Sequence, residues 1–287
     1  VGQHICVPLE GAALHINAFN FPCWGMLEKL APTLLAGVPA IIKPASATCF
    51  VTEAMVRSVI SAGILPEGSL QLLCGGIGDL FSHLTCQDVV TLTGSKKTGS
   101  TLKQHPAIFE NSVRFNLEAD SLNCSILGPD ATPDTPEYDL FLTEVVREMT
   151  VKAGQKCTAI RRVLVPERII EDLSAALKER LSKVTVGNPQ SKGVQMGPLV
   201  SKAQLADVRE QIGLIAKEAA LISGSLESFD PIDATYAKGA FFPPTLLRCD
   251  RPSTNSPVHS LEAFGPVSTL IPYATLDNAI TFARSGG

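Results

Sequence analysis

An α/β chain of two units is what the sequence predicts, on three observations. Short β-rich apolar runs alternate with helical patterns, Gly and Pro punctuate them at close intervals, and the alternation restarts near residue 120. With 287 residues, 45% hydrophobic and 18% charged, the chain is long and apolar enough to bury a large core, which excludes a disordered protein. At about 150 residues per domain this length suits one large domain or two of ordinary size.

In the first unit, residues 1–120, the strand candidates are Ala40 to Ile42, Leu70 to Leu73, Val89 to Leu92 and Val113 to Leu117. Helix candidates lie near Trp24 to Leu35, Val51 to Ala62, Asp79 to Leu84 and Thr98 to Gln104, set off by Gly37, Gly63, Pro66 and Gly68. This order reads as a Rossmann-like layer, a parallel sheet covered by helices. The second unit, residues 121–287, opens with a strand at Cys124 to Leu127, a loop at Pro129 to Pro136 and a helix at Tyr138 to Val151. It continues with a strand at Arg162 to Val165, helices at Ile169 to Val184 and Lys202 to Ala219, and strands near Thr245 to Leu247 and Val267 to Ile271. An active site is expected in a cleft between two such layers.

Lys and Arg number 24 against 28 Asp and Glu, a formal charge of −4, so no positive field invites nucleic acid or an anionic membrane. Small molecules are the expected partners. The most apolar stretch, Leu34 to Ile42, is broken by Gly37 and Pro39 and falls short of the ~20 residues a membrane span needs. Eight scattered cysteines with no CxxC pair point to reduced thiols and a cytoplasmic setting. The five histidines show no HExxH or Cys/His ligand spacing, so no metal site is expected, and no GxSxG elbow marks a serine hydrolase. The sequence opens on Val1 and stops at Gly287 just after a helix-like run, as a segment of a longer protein would.

Several residues are candidates for chemistry. Cys157 stands in Gly154-Gln155-Lys156-Cys157-Thr158, where a small residue permits close approach and Lys156 is placed to favour a thiolate, the form that attacks a carbonyl. A lone cysteine is more often a small buried hydrophobe. Glu118, at the end of a strand candidate, is either a solvated carboxylate or a general base toward water, with Asp120 as the fallback. Asn20, in Asn17-Ala18-Phe19-Asn20-Phe21-Pro22, is either a helix cap, with Pro22 in the helix's first turn, or an amide donor for a developing oxyanion. Lys43 ends a strand and is followed by Pro44, Ala45 and Ser46, with no acid to repel a phosphate on ribose. Thr93-Gly94-Ser95 follows a strand and opens a helix whose N–H groups suit a pyrophosphate. Gly75-Gly76-Ile77-Gly78 is a weaker site of that kind, and no GxGxxG spacing is present.

Taken in order along the chain, these segments resemble the aldehyde dehydrogenase superfamily. Asn20-Phe21-Pro22 is similar to its oxyanion motif, Lys43-Pro44 to its adenosine-side motif, Thr93-Gly94-Ser95 with Gly99 to its pyrophosphate turn, Leu117-Glu118 to its general-base motif and Gly154 to Cys157 to its nucleophile motif. Met196-Gly197-Pro198-Leu199 and Glu262-Ala263-Phe264-Gly265-Pro266 resemble later signatures, the second of which meets the nicotinamide ribose through Glu262 and the ring through Phe264. The resemblance implies the aldehyde dehydrogenase fold, truncated at both ends, with a partial NAD(P)-binding domain over 1–120, a partial catalytic domain over 121–287, and a homo-oligomer in the full-length protein.

Ile16 to Thr33, Glu118 to Asn123 and Glu144 to Arg162 resemble most the branch that oxidises CoA-linked ring-opened semialdehydes in phenylacetate degradation, with benzoyl-CoA-pathway semialdehyde dehydrogenases as the near alternative. Two departures from the wider family stand out. Ala119-Asp120 replaces the common Gly-Gly, and Ser46 stands where NAD-preferring members often have Glu, which argues for NADP, with NAD as the alternative cofactor. The implied reaction oxidises the aldehyde to its acid through a Cys157 thioacyl intermediate. Rival readings are a CoA-acylating enzyme, which has no need of Glu118, and a non-catalytic binding relative.

Overall fold

The computed structural model describes Gly2 to Gly286; Val1 and Gly287, the outer ends of the two predicted units, lie outside the described residues. The chain divides into two compact units, Val1–Asp120 and Ser121–Gly287.

In the first unit β1 (Ala13–Ile16), α1 (Trp24–Leu35), β2 (Ala40–Lys43), α2 (Cys49–Ser61), β3 (Leu70–Leu72), β4 (Val89–Gly94), α3 (Lys96–Lys103), α4 (Pro106–Glu110) and β5 (Arg114–Ala119) follow one another. The strands form a parallel sheet in the order β3-β2-β1-β4-β5. Strand order reverses between β1 and β4, the switch point outside which open α/β sheets bind ligands at the carboxyl ends of their strands. One face packs Leu14, Ile16, Val90 and Leu92 on Phe81, and the other packs Ile42 and Leu70 on Met26, Leu30 and Val56.

β1 is absent from the sequence reading, although it is the central strand. Its four residues, Ala-Leu-His-Ile, are all buried, so no alternation marks it, and His15 interrupts the apolar run. His15 Nε2 meets Thr33 Oγ1 at 3.0 Å, and burial pulls its imidazole down to about 4, so it stays neutral in the core. The helix predicted over 79–84 is a 3₁₀ turn, Leu80–His83, and α4 is a five-residue helix that sequence reasoning passed over. Gly99 lets α3 approach β5: a Cβ there lies 2.6 Å from Leu117 Cδ1.

The second unit holds β6 (Cys124–Ile126), α5 (Pro136–Thr150), β7 (Arg162–Pro166), α6 (Ile170–Ser182), α7 (Lys202–Ile215), β8 (Ala220–Ser223), β9 (Thr245–Arg248), β10 (Val267–Tyr273) and α8 (Leu276–Arg284). Its sheet runs β6-β7-β10-β9-β8, parallel except for β8 against β9. Successive side chains go to opposite faces, as a strand requires. Leu164, Leu247 and Ile271 join Val208 and Ile212 of α7, whereas Val163, Val165, Leu246 and Leu270 join Leu142, Val145, Leu173 and Leu177 of α5 and α6. Each such burial contributes roughly 2 kcal/mol.

The helix predicted to Ala219 ends at Ile215, and the link Ala216-Lys217-Glu218-Ala219 to β8 has neither Gly nor Pro to mark the change. Because β6, β7 and β10 are parallel neighbours, the segments that lead into them, residues 121–123, 154–161 and 262–266, gather at one edge of the sheet. That edge holds the candidate residues of this unit.

Candidate active site

In the first unit the candidate residues lie along the carboxyl edge of the sheet. Lys43 closes β2, and its ammonium Nζ donates to Pro44 O at 3.1 Å; Ser46, exposed, begins the turn that leads into α2. Thr93 and Gly94 close β4 and pair in register with Glu118 and Ala119 at the end of β5. Thr93 Oγ1 donates to Glu118 Oε2 at 3.2 Å. Ser95 is the N-cap of α3 and accepts from Thr98 N at 3.2 Å, while Asp120 Oδ1 accepts from Lys96 N at 2.9 Å. Asp120, the fallback base, thus serves the N-terminus of α3, the helix end that favours an anionic side chain.

Asn20 is not the helix cap. The N-cap of α1 is Cys23, which makes no side-chain cap bond, and Pro22 lies before that residue and outside the first helical turn. Sequence reasoning missed Lys29, on α1. Its Nζ donates to Asn17 Oδ1 at 2.8 Å and Ile16 O at 3.3 Å. Burial pulls the Lys29 ammonium down to about 8, and the nearby Glu118 and Glu28 carboxylates oppose that fall. A lysine spaced to face the core side of α1 is the signal that could have found it.

In the second unit α5 stops at Thr150 and the chain turns sharply. Lys152, Ala153 and Gly154 take φ of 55°, 52° and 66°, three successive left-handed residues, of which only the glycine adopts this region without cost. Gly154 is obligatory for a second reason: a Cβ there lies 2.1 Å from Gly265 O. Strain of this kind persists only where the surroundings over-determine it, and it clusters at functional sites.

The surroundings are visible. Gln155 Nε2 donates to Lys152 O at 3.0 Å and Gln155 Oε1 accepts from Val200 N at 3.0 Å. The Cys157 carbonyl accepts from Asn123 Nδ2 at 2.6 Å and from Ser121 Oγ. Cys157 is itself exposed, as a nucleophile must be, and is one of eight free cysteines. Glu262 accepts from Arg161 Nε at 3.0 Å and from Ser121 N at 3.1 Å, and Arg161 lies over the Phe264 ring at 5.2 Å. Cys157 and the distant pair Glu262 and Phe264 thus belong to one edge of this unit.

The cations differ from expectation. Lys156 is committed to Glu148, Nζ to Oε2 2.7 Å, with both side chains largely buried. Burial lowers both the Lys152 ammonium and the Arg161 guanidinium, and the nearby Cys157 opposes that fall in each; the same attraction favours its thiolate. Neither stood out in sequence because Lys152 acts through its left-handed backbone and Arg161 through burial. Among the described residues no group of three or more His, Cys, Asp and Glu side chains could hold a metal ion, and no helix is long and apolar enough to cross a membrane.

Comparison with known proteins gives the family of the chain. The model of the aldehyde dehydrogenase family matches residues 3–285. A 3,4-dehydroadipyl-CoA semialdehyde dehydrogenase of Aromatoleum evansii is 51% identical over 285 residues, 99% of this chain and 55% of the relative. Betaine aldehyde dehydrogenase from Staphylococcus aureus, solved in complex with NAD+, superposes with a TM-score of 0.84 at 27% identity, covering 97% of this chain and 53% of that one. Succinic semialdehyde dehydrogenase from Streptococcus pyogenes, solved with NADP+, shares the fold at a TM-score of 0.83 and 24% identity, over 96% of this chain and 57% of that one. The chain spans about half the length of the curated relatives it matches. With the family model matched from end to end of the described fold, the chain belongs to the aldehyde dehydrogenase family.

Proposed function

We propose that the protein oxidises an aldehyde, of the CoA-linked semialdehyde class, to the corresponding acid with NADP as electron acceptor. The observation that carries this reading is the strained, braced loop that presents the exposed Cys157 beside Lys152 and Arg161. The substrate class rests on the 51% identical relative, whose name specifies a semialdehyde borne on CoA.

The first unit fits a dinucleotide. Its strand order has the switch point of dinucleotide-binding sheets, and Lys43 and Ser46 at the end of β2 offer a cation and a hydroxyl with no carboxylate between them, which suits a ribose phosphate. Thr93, Gly94 and Ser95 lie at the N-terminus of α3, where backbone N–H groups favour phosphate. Glu262 and Phe264 would hold the nicotinamide end. When bound, NADP supplies the acceptor for the hydride that the aldehyde carbon gives up.

The chain's own residues do the rest. Cys157 Sγ, as thiolate, adds to the aldehyde carbon, and the Asn20 amide with the Cys157 backbone N–H holds the resulting oxyanion. Loss of hydride from that carbon leaves a thioester on Sγ. Glu118 then takes a proton from water, the hydroxide adds to the thioester carbon, and the acid leaves as Sγ returns to thiolate. Thr93 and Lys29 orient the Glu118 carboxylate for that step. A base retained for hydrolysis favours water over CoA as acceptor.

Cys157→Ala should abolish aldehyde-dependent reduction of NADP; substantial residual turnover refutes the nucleophile. Product analysis with and without free CoA distinguishes acid from acyl-CoA, and a product that requires CoA refutes the hydrolytic step.

A further inference from the structure

We propose that Arg161 is a positioning residue that ties the nucleophile loop to the Glu262–Gly265 segment, so that one guanidinium sets both the thiol's surroundings and the orientation of Glu262. The inference rests on the reading of Cys157 as nucleophile and Glu262 as cofactor ligand.

Arg161 precedes β7, and its side chain is 4% exposed. Burial depresses its guanidinium and the Glu262 carboxylate opposes that fall, and a buried charge of this kind requires hydrogen-bonded partners. Those partners come from both segments. Nη2 donates to Gly154 O at 2.9 Å and Lys156 O at 3.3 Å, Nη1 donates to Gly265 O at 2.8 Å, and Nε donates to Glu262 Oε1 at 3.0 Å. The planar fork thereby directs its donors to carbonyls of the nucleophile loop on one side and to the Glu262 segment on the other.

The two segments touch where Gly154 meets Gly265, the contact that leaves no room for a Cβ. Arg161 is the group that spans this contact. Its neighbour Arg162 is buried too, but it donates to Leu122 O, Phe282 O and Ala283 O and so serves the end of α8 instead of the nucleophile loop. Two adjacent arginines therefore divide their work, one on each side of the strand.

The balance of charge explains why this residue is an arginine. A neutral side chain leaves Glu262 as a buried carboxylate without its cation, and its negative charge then opposes a thiolate at Cys157. A lysine keeps the charge, but a single ammonium cannot satisfy carbonyls on two segments at once.

The test uses the complete protein with Arg161→Gln and Arg161→Lys, each checked for folding by circular dichroism and thermal melting. Alkylation of Cys157 by iodoacetamide is followed across pH by peptide mass spectrometry, alongside kcat and KM for NADP. Arg161→Gln should move the alkylation midpoint up by about one pH unit and raise KM for NADP about tenfold. Arg161→Lys should keep the midpoint and lose about tenfold in kcat, because the charge survives while the loop loses its brace. A folded Arg161→Gln protein with the wild-type alkylation profile and wild-type KM overturns the proposal. If Arg161→Gln does not fold, Arg161→Lys decides alone, and wild-type kcat in it overturns the proposal. Cys157→Ala is the separate control: turnover retained there removes the nucleophile reading, whatever the Arg161 variants do.

Discussion

Gly154→Ala is the substitution to which the nucleophile loop should be most sensitive. The glycine has a φ of 66°, and a Cβ built on it lies 2.1 Å from Gly265 O, 2.5 Å from Gly265 C and 2.8 Å from Pro266 Cα. A left-handed alanine costs about 1–2 kcal/mol, and overpacking against atoms that cannot rotate away costs about 1–3 kcal/mol more. The expected loss is therefore about 2–5 kcal/mol, enough to lower the melting temperature of a unit this size by about 5–20 °C. Gly193→Ala separates the two contributions, since Gly193 has a φ of 86° and nothing within 4 Å of its Cβ position. It should show only the conformational cost. Urea and thermal unfolding measure the stability, and iodoacetamide labelling of Cys157 reports whether the loop has moved. The reasoning is refuted if Gly154→Ala melts within about 2 °C of the wild type and labels Cys157 at the same rate.

Three further outcomes are expected. First, Arg162 Nη1 donates to His259 Nδ1 at 3.1 Å, which places the ring proton on Nε2, and burial with the Arg162 charge pulls the imidazole down to about 4. The unfolded ring takes a proton near 6.5, so folded stability is full above that value and falls with acid toward 4. Between pH 7 and 5 the share of the loss from this ring is about 2 kcal/mol, beside that from His15; His259→Gln should remove that share of the slope, and an unchanged slope in urea titrations would falsify the assignment. Second, Ser46→Glu puts a carboxylate next to Lys43 and should raise KM for NADP at least about tenfold while sparing NAD; equal effects on both cofactors contradict the phosphate reading. Third, iodoacetamide should label Cys157 well ahead of Cys249, which is buried and whose thiol burial pushes up. Even labelling of the two argues against a thiolate at Cys157.

Sequence and structure agree where the pattern is periodic and punctuated. α1 spans the predicted Trp24–Leu35, and the strands at Ala40, Leu70 and Val89 begin where their apolar runs begin. They part where burial erases periodicity, as in β1, which is buried on both faces and carries a histidine, and where no Gly or Pro marks the end of an element, as between α7 and β8.

The site divides in the same way. Cys157, Glu118 and Asn20 stand out as candidates because their residue types suit chemistry at strand ends and turns, whereas Glu262 enters only through the resemblance. Arg161, Ser121, Asn123 and Lys29 were not, because their roles depend on which strands become neighbours. Lys156 shows the opposite error. Adjacency in sequence made it the obvious activator of Cys157, whereas the turn of three left-handed residues directs it to Glu148. Burial of a charge inside an apolar stretch, as at Arg161 and Arg162, is the sequence signal for such hidden partners, since a buried guanidinium must find acceptors.

The thioacyl intermediate is open to direct observation in the complete Glu118→Gln protein, where hydrolysis should stall. After mixing with a CoA-linked semialdehyde and NADP and quenching in acid, peptide mass spectrometry should find the acyl group on the peptide that contains Cys157, and on no other. An acyl group on a different cysteine, or release of the acid at the wild-type rate with Cys157 unmodified, contradicts the account.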